Sequence, residues 1–318
     1  MDIAETTALA DREIIATRLL DAPRELVFAA WTDVGHLEQW WGPTGFTTTT
    51  RRMEIEPGGQ WRFVMHGPDG TDYENIITFL EVVAPSRLVY KHGGDKETGA
   101  VQFDVVVTFE DEGGKTRLSM RMRFPSNDAR DFVIDKYGAF EGLKETMGRL
   151  RDHVALQDAF VITRTFDAPL DLVWKAHTEV GHLEKWWGPK SLAMAKATLD
   201  LRAGGTFHYR MRAPGGEEMW GRFVYREILP RRRIVWVNSF SDPQGGLARH
   251  PASLDWPLEM LIMVTFAETA GRTTLTIRSA PINASEAERR VFKDGYKSME
   301  GGFGGTLDKL DLHLGSAR

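Results

Sequence analysis

Gly35-His36-Leu37-Glu38-Gln39-Trp40-Trp41-Gly42-Pro43 returns almost letter for letter as Gly181-His182-Leu183-Glu184-Lys185-Trp186-Trp187-Gly188-Pro189. An echo of this length, holding two adjacent tryptophans, restricts the chain to architectures that can be built twice. The same offset of 146 residues carries Ala22-Pro23 onto Ala168-Pro169 and Gly58-Gly59 onto Gly204-Gly205. The chain therefore reads as a tandem duplication, with a leader over 1–12, a first unit over 13–156 and a second over 157–318. Each copy is long enough to bury a core of its own.

Composition narrows the class. Hydrophobic residues make up 42% and charged residues 27% of the 318 positions, which suits a folded globular protein and not a disordered one. A net charge of −5 gives no global attraction for nucleic acid or anionic membrane. There is no cysteine, so disulfides, thiolate metal sites and cysteine nucleophiles are excluded. Met1 to Asp11 carries acids and has neither a basic nor an apolar signal region, and no apolar run approaches the length of a membrane span. The expected location is cytoplasmic.

Within the first unit, Glu13 to Leu20 reads as a strand ended by Asp21-Ala22-Pro23. Leu26, Val27, Ala29, Ala30 and Trp31 recur at helical spacing, Asp33-Val34-Gly35 breaks that helix, and a second short one runs to Trp41 before Gly42-Pro43. From about Thr47 the period becomes two. Trp61, Phe63 and Met65 share a face, followed by Tyr73, Asn75, Ile77 and Phe79 across the Pro68-Asp69-Gly70 turn. Leu88 to Tyr90, Phe103 to Phe109 and Leu118 to Phe124 continue an antiparallel meander. Asp128 to Val154 returns to helical spacing, with Phe132, Leu143, Met147, Leu150 and Val154 along one stripe. The implied class is α+β, a curved antiparallel sheet gripping one long C-terminal helix.

The second unit repeats this order, with Phe207, Tyr209 and Met211 standing where Trp61, Phe63 and Met65 stand. Its offset grows to 157 by Val264-Thr265-Phe266, the counterpart of Val107-Thr108-Phe109, so it has gained 11 residues. They fall in Asn238 to Pro257, whose Asp242-Pro243, Gly245-Gly246, His250-Pro251 and Trp256-Pro257 pairs predict a long loop. The closing helix, about Ser285 to Leu314, contains four glycines between Gly301 and Gly305, which calls for a helix break or a close approach to the sheet or a ligand.

Asp-Ala-Pro before an amphipathic helix, the duplicated Trp-Trp-Gly-Pro segment, Arg249-His250-Pro251 and Trp256-Pro257-Leu258-Glu259-Met260 together resemble the bacterial family named after the activator of the heat-shock-protein-90 ATPase. That family lies in the START-like, birch-pollen-allergen-like superfamily, and the resemblance covers both halves. It implies a tandem helix-grip fold, each copy a seven-stranded antiparallel sheet around a long helix with a cavity between. The superfamily includes lipid carriers, hormone receptors and polyketide aromatase/cyclases, so the fold leaves the chemistry open.

No nucleophile elbow, zinc-protease helix or phosphate loop occurs, and His36 and His182 repeat at one structural place, which favours a helix junction over a metal site. No catalytic residue, metal or cofactor is expected. The predicted function is binding of a small hydrophobic or aromatic molecule, with no nucleic-acid partner and no membrane span. Its expected lining in the first unit is Trp41, Phe63, Met65, Tyr73, Tyr90, Met120 and Met147. In the second it is Trp187, Tyr209, Met211, Phe223, Trp236, Asn238, Met260, Met299 and Phe303, with Arg249 and His250 as a lid. The alternatives are an aromatase/cyclase-like enzyme using Tyr, Arg or His at the cavity mouth, and a co-chaperone-like interaction module with a chaperone partner.

Overall fold

The computed structural model describes residues 5–93, 101–251 and 253–317. The chain divides into two compact units, Met1–Gln157 and Asp158–Arg318.

The first unit opens with β1 (Glu5–Ala10), which pairs along its whole length with β2 (Glu13–Leu20). Within the stretch expected to be a leader, Glu5–Ala10 is thus an edge strand. Its own residues show no apolar alternation, and it is held by the backbone groups that β2 would otherwise leave unpaired. The carbonyl of Pro23 accepts the first amides of α1 (Arg24–Thr32), which buries Val27, Phe28, Ala30 and Trp31. Asp33 alone breaks the helical run, where three residues had been expected to. Its carboxylate accepts the His36 amide at 3.1 Å and so caps α2 (Val34–Trp40).

Six strands follow: β3 (Thr47–Met53), β4 (Gln60–His66), β5 (Asp72–Val83), β6 (Arg87–Gly93), β7 (Phe103–Glu112) and β8 (Lys115–Arg123). All pair antiparallel in the order β1-β2-β8-β7-β6-β5-β4-β3. The closing helix is two helices, α3 (Asn127–Tyr137) and α4 (Ala139–Ala155), because Gly138 turns into the left-handed region at φ 62°. Phe132, expected on the buried stripe, lies on α3 and is 46% exposed, whereas Leu143, Met147, Leu150 and Val154 on α4 are buried against the sheet.

The second unit runs β9 (Phe160–Phe166), α5 (Leu170–Thr178), α6 (Val180–Trp186), β10 (Ala193–Leu199), β11 (Thr206–Arg212), β12 (Glu218–Leu229), β13 (Arg233–Ser241), β14 (Leu247–Ala248), β15 (Glu259–Thr269), β16 (Arg272–Ile282), α7 (Glu286–Asp294) and α8 (Tyr296–Ser316). Seven strands lie in the order β10-β11-β12-β13-β15-β16-β9, and β14 pairs with β13. The first four residues of the expected loop, Asn238 to Ser241, are the end of β13. Here too the last helix is divided, at Gly295, but α8 runs unbroken through Gly301 to Gly305.

Both units therefore fold as a helix grip, and the duplication extends to the fastenings. Arg149 of α4 donates to the Gly42 carbonyl at 2.9 Å, and Lys309 of α8 donates to the equivalent Gly188 carbonyl at 3.2 Å. His36 and His153 stand 2.8 Å apart between α2 and α4, and His182 and His313 stand 2.8 Å apart between α6 and α8.

Candidate functional site

A cavity of about 510 Å³ opens in the second unit between the concave face of the sheet and α8. That volume falls in the range of small-molecule sites. Its floor is the face that β-strand alternation turns inward: Tyr209 and Met211 of β11, Met219 and Gly221 of β12, Asn238 and Phe240 of β13, Met260 and Ile262 of β15. Trp187 closes one side. It follows α6 in extended conformation, and the next residue, Gly188, holds φ +98° with the Met211 side chain where a Cβ would project. Met299, Gly302 and Phe303 of α8 form the opposite wall.

The polar groups are few and specific. Burial pushes the Tyr209 pKa up to about 12, against a smaller lowering by the neighbouring Trp187 indole, so the phenol stays protonated at neutral pH. Asn238 Oδ1 is buried and has no hydrogen-bond partner among the described residues. No lysine, arginine, aspartate or glutamate lines the cavity among those residues.

The duplication supplies an internal control. At the positions equivalent to Gly221, Asn238, Met260 and Ser279, the first unit carries Asn75, His92, Phe103 and Met122. His92 Nε2 lies 3.1 Å from Asn75 Oδ1, and the His92 ring packs 5.0 Å from Phe103, which itself lies 4.7 Å from Phe124. Burial holds the His92 pKa down to about 4, so this plug is neutral. The first unit thus carries larger side chains at three of the positions that line the cavity of the second, those of Gly221, Asn238 and Met260.

The family model described as Activator of Hsp90 ATPase homolog 1-like protein matches the chain twice, over residues 21–155 and 167–315. The chain belongs to this family. Comparison with curated proteins finds no match. Among solved structures the chain is similar to a protein from Arthrobacter aurescens, at 26% identity and a TM-score of 0.44, over 47% of this chain and 90% of that one. It is also similar to the di-domain ARO/CYC BexL from the BE-7585A biosynthetic pathway, at 16% identity and a TM-score of 0.44. A third is the di-domain ARO/CYC StfQ from the steffimycin biosynthetic pathway, at 15% and 0.45, and each of these two matches spans 95% of this chain and 98% of the other.

In this tandem member of the Activator of Hsp90 ATPase homolog 1-like family, the 11-residue gain covers the cavity. His250 packs edge-on to Phe240 at 4.7 Å, and Trp256 lies 5.6 Å from Phe292 of α7, so both rings roof the space. Burial lowers the His250 pKa. Arg249 does not reach the cavity wall. It turns outward to the Trp256 carbonyl at 3.3 Å and to Glu288, whose carboxylate it holds below the usual range while Ser285 and Glu288 form the capping box of α7.

Of the residues expected to line a site in the second unit, Trp187, Tyr209, Met211, Asn238, His250, Met260, Met299 and Phe303 come together around the cavity. Phe223 and Trp236 lie behind it, stacked on each other at 4.8 Å. In the first unit Trp41, Phe63, Tyr90, Met120 and Met147 are core, while Met65 and Tyr73 are partly buried, with Tyr73 5.9 Å from Phe46. Those seven do not line the recess described in that unit, which is bounded by Phe103 and Phe124 together with Arg12, Lys91, Gln102 and Arg123. Gly221, Met219, Trp220, Phe240 and Ile262 were not anticipated as lining. Gly221 was legible in principle, since the offset of 146 sets it opposite Asn75.

Proposed function

We propose that the second unit binds one small hydrophobic or aromatic molecule in its cavity, and that the first unit, with larger side chains at the equivalent positions, does not. The observation that carries this reading is the shrinkage from Asn75, His92 and Phe103 to Gly221, Asn238 and Met260, coinciding with about 510 Å³ of space walled by aromatic and methionine side chains. Methionine's flexible thioether lets such a wall adapt to the shape of its ligand. Native mass spectrometry of freshly purified protein tests it. A co-purified apolar adduct, or saturable uptake of added 2-methylnaphthalene, supports binding, and a protein that takes up neither overturns it.

A second reading, an enzyme of aromatase/cyclase type, is favoured by one feature: Tyr209 is a buried, protonated phenol facing the cavity and could act as an acid toward a bound carbonyl. Turnover of a polyketide surrogate, lost in Tyr209→Phe, would distinguish it from simple carriage.

A further inference from the structure

The cavity's polar groups have changed together with its size. Phe63 of the first unit corresponds to Tyr209 of the second, so a hydroxyl has been added, and Asn75 corresponds to Gly221, so the side chain that paired with His92 has been removed. A Cβ at Gly221 would stand 2.5 Å from the Tyr209 hydroxyl, which shows that the phenol has moved into the vacated place. The Tyr209 phenol lines the cavity and keeps its proton, so it is available as a donor there. Asn238, two strands away on the same face, offers a buried carbonyl oxygen without a partner among the described residues. Tyr209 is thus a donor opposite Gly221 on β11, and Asn238 an acceptor diagonal to Gly221 on β13.

Leaving a buried polar atom unpaired costs free energy, and a ligand that supplies the missing partner recovers it. One hydroxyl group meets both needs, because its oxygen accepts and its hydrogen donates. The absence of charged side chains from the described wall disfavours an anionic group, whose burial would go uncompensated. Resting on the ligand-binding reading above, we infer that Tyr209 and Asn238 select a neutral hydroxyl on an otherwise aromatic ligand, Tyr209 donating to its oxygen and Asn238 accepting its hydrogen.

Calorimetric titration of the full chain at neutral pH with three probes of similar shape tests this: 2-naphthol, 2-methylnaphthalene and 2-naphthoate. The expected order places 2-naphthol about tenfold or more tighter than the methyl compound, with naphthoate weakest. The double variant Tyr209→Phe, Asn238→Leu is expected to bring the ratio of the first two close to one. Equal affinity for naphthol and methylnaphthalene in the wild type overturns the hydroxyl inference while leaving the binding reading intact, as does a preference for naphthoate. Failure of all three to bind overturns both. A discrimination that persists in the double variant removes Tyr209 and Asn238 from the role.

Discussion

The Tyr209 ring lies directly over Gly221, its neighbour in register across β11 and β12, and a Cβ at position 221 would fall 2.5 Å from the ring and hydroxyl. The equivalent pair in the first unit is Phe63 and Asn75, where the asparagine side chain takes the space and bonds to His92. Gly221→Ala is therefore expected to displace Tyr209 at a cost of about 1–3 kcal/mol, as overpacked cores do. Urea unfolding checks the cost and 2-naphthol titration checks the site. Stability and affinity both at wild-type level would show that the ring does not depend on the bare backbone.

Gly302 presents α8 to the cavity without a side chain, and a Cβ there would meet nothing within 4 Å. Gly302→Ala should raise helix stability by up to about 1 kcal/mol, and Gly302→Leu should fill the mouth of the cavity. The expected result for the leucine variant is a melting temperature at or above wild type with probe binding lost. Retained binding would mean that the ligand enters elsewhere.

His177 is buried between Trp186 and Phe266 at 4.8 and 5.1 Å, and burial holds its pKa down to about 4 even though its ring bonds to the Val173 carbonyl. A base whose pKa is lower folded than unfolded contributes stability above its unfolded value near 6.5 and loses it as pH falls toward 4. The contribution across that window is about 3 kcal/mol. The first unit has Trp31, which does not titrate, at this position. His177→Phe should flatten the fall in unfolding free energy between pH 6.5 and 4, leaving the part due to His92 in the first unit. An unchanged slope would assign the acid sensitivity to other groups.

Arg249 was read from the sequence as a group closing over a ligand, and its contacts instead tie the loop to Glu288 and to the Trp256 carbonyl. The arginine is about half exposed, so the pair is worth no more than about 1 kcal/mol. Arg249→Ala is expected to leave the melting temperature nearly unchanged and to speed probe release several-fold, read by stopped-flow fluorescence. An unchanged release rate would show that this loop does not gate the site.

The duplication, the α+β helix grip and most strand faces were legible because two periods and one repeat write them directly: the inward faces of β4 and β11 follow from alternation at Trp61 to Met65 and Phe207 to Met211. Glu5 to Ala10 was not, since an edge strand held by its neighbour's backbone needs no pattern of its own. Nor were the helix breaks at Gly138 and Gly295, where a single residue outweighs a continuous apolar stripe. The site was half legible. Residue type identified Tyr209, Met211 and Asn238, but the same types in the first unit, Phe63, Met120 and Met147, are core. What separates the two is the side-chain volume removed at Gly221 and reduced at Asn238, which shows only when the copies are compared residue by residue.

The central claim is that the second copy binds a ligand and the first, with larger side chains at the equivalent positions, does not, and binding stoichiometry measures it. Native mass spectrometry with excess 2-methylnaphthalene is expected to show one molecule per chain, and none in the variant Gly221→Asn, Asn238→His, which transplants the first unit's plug into the second. Two molecules per chain, or one that survives the transplant, would contradict the assignment of the cavity to the second unit.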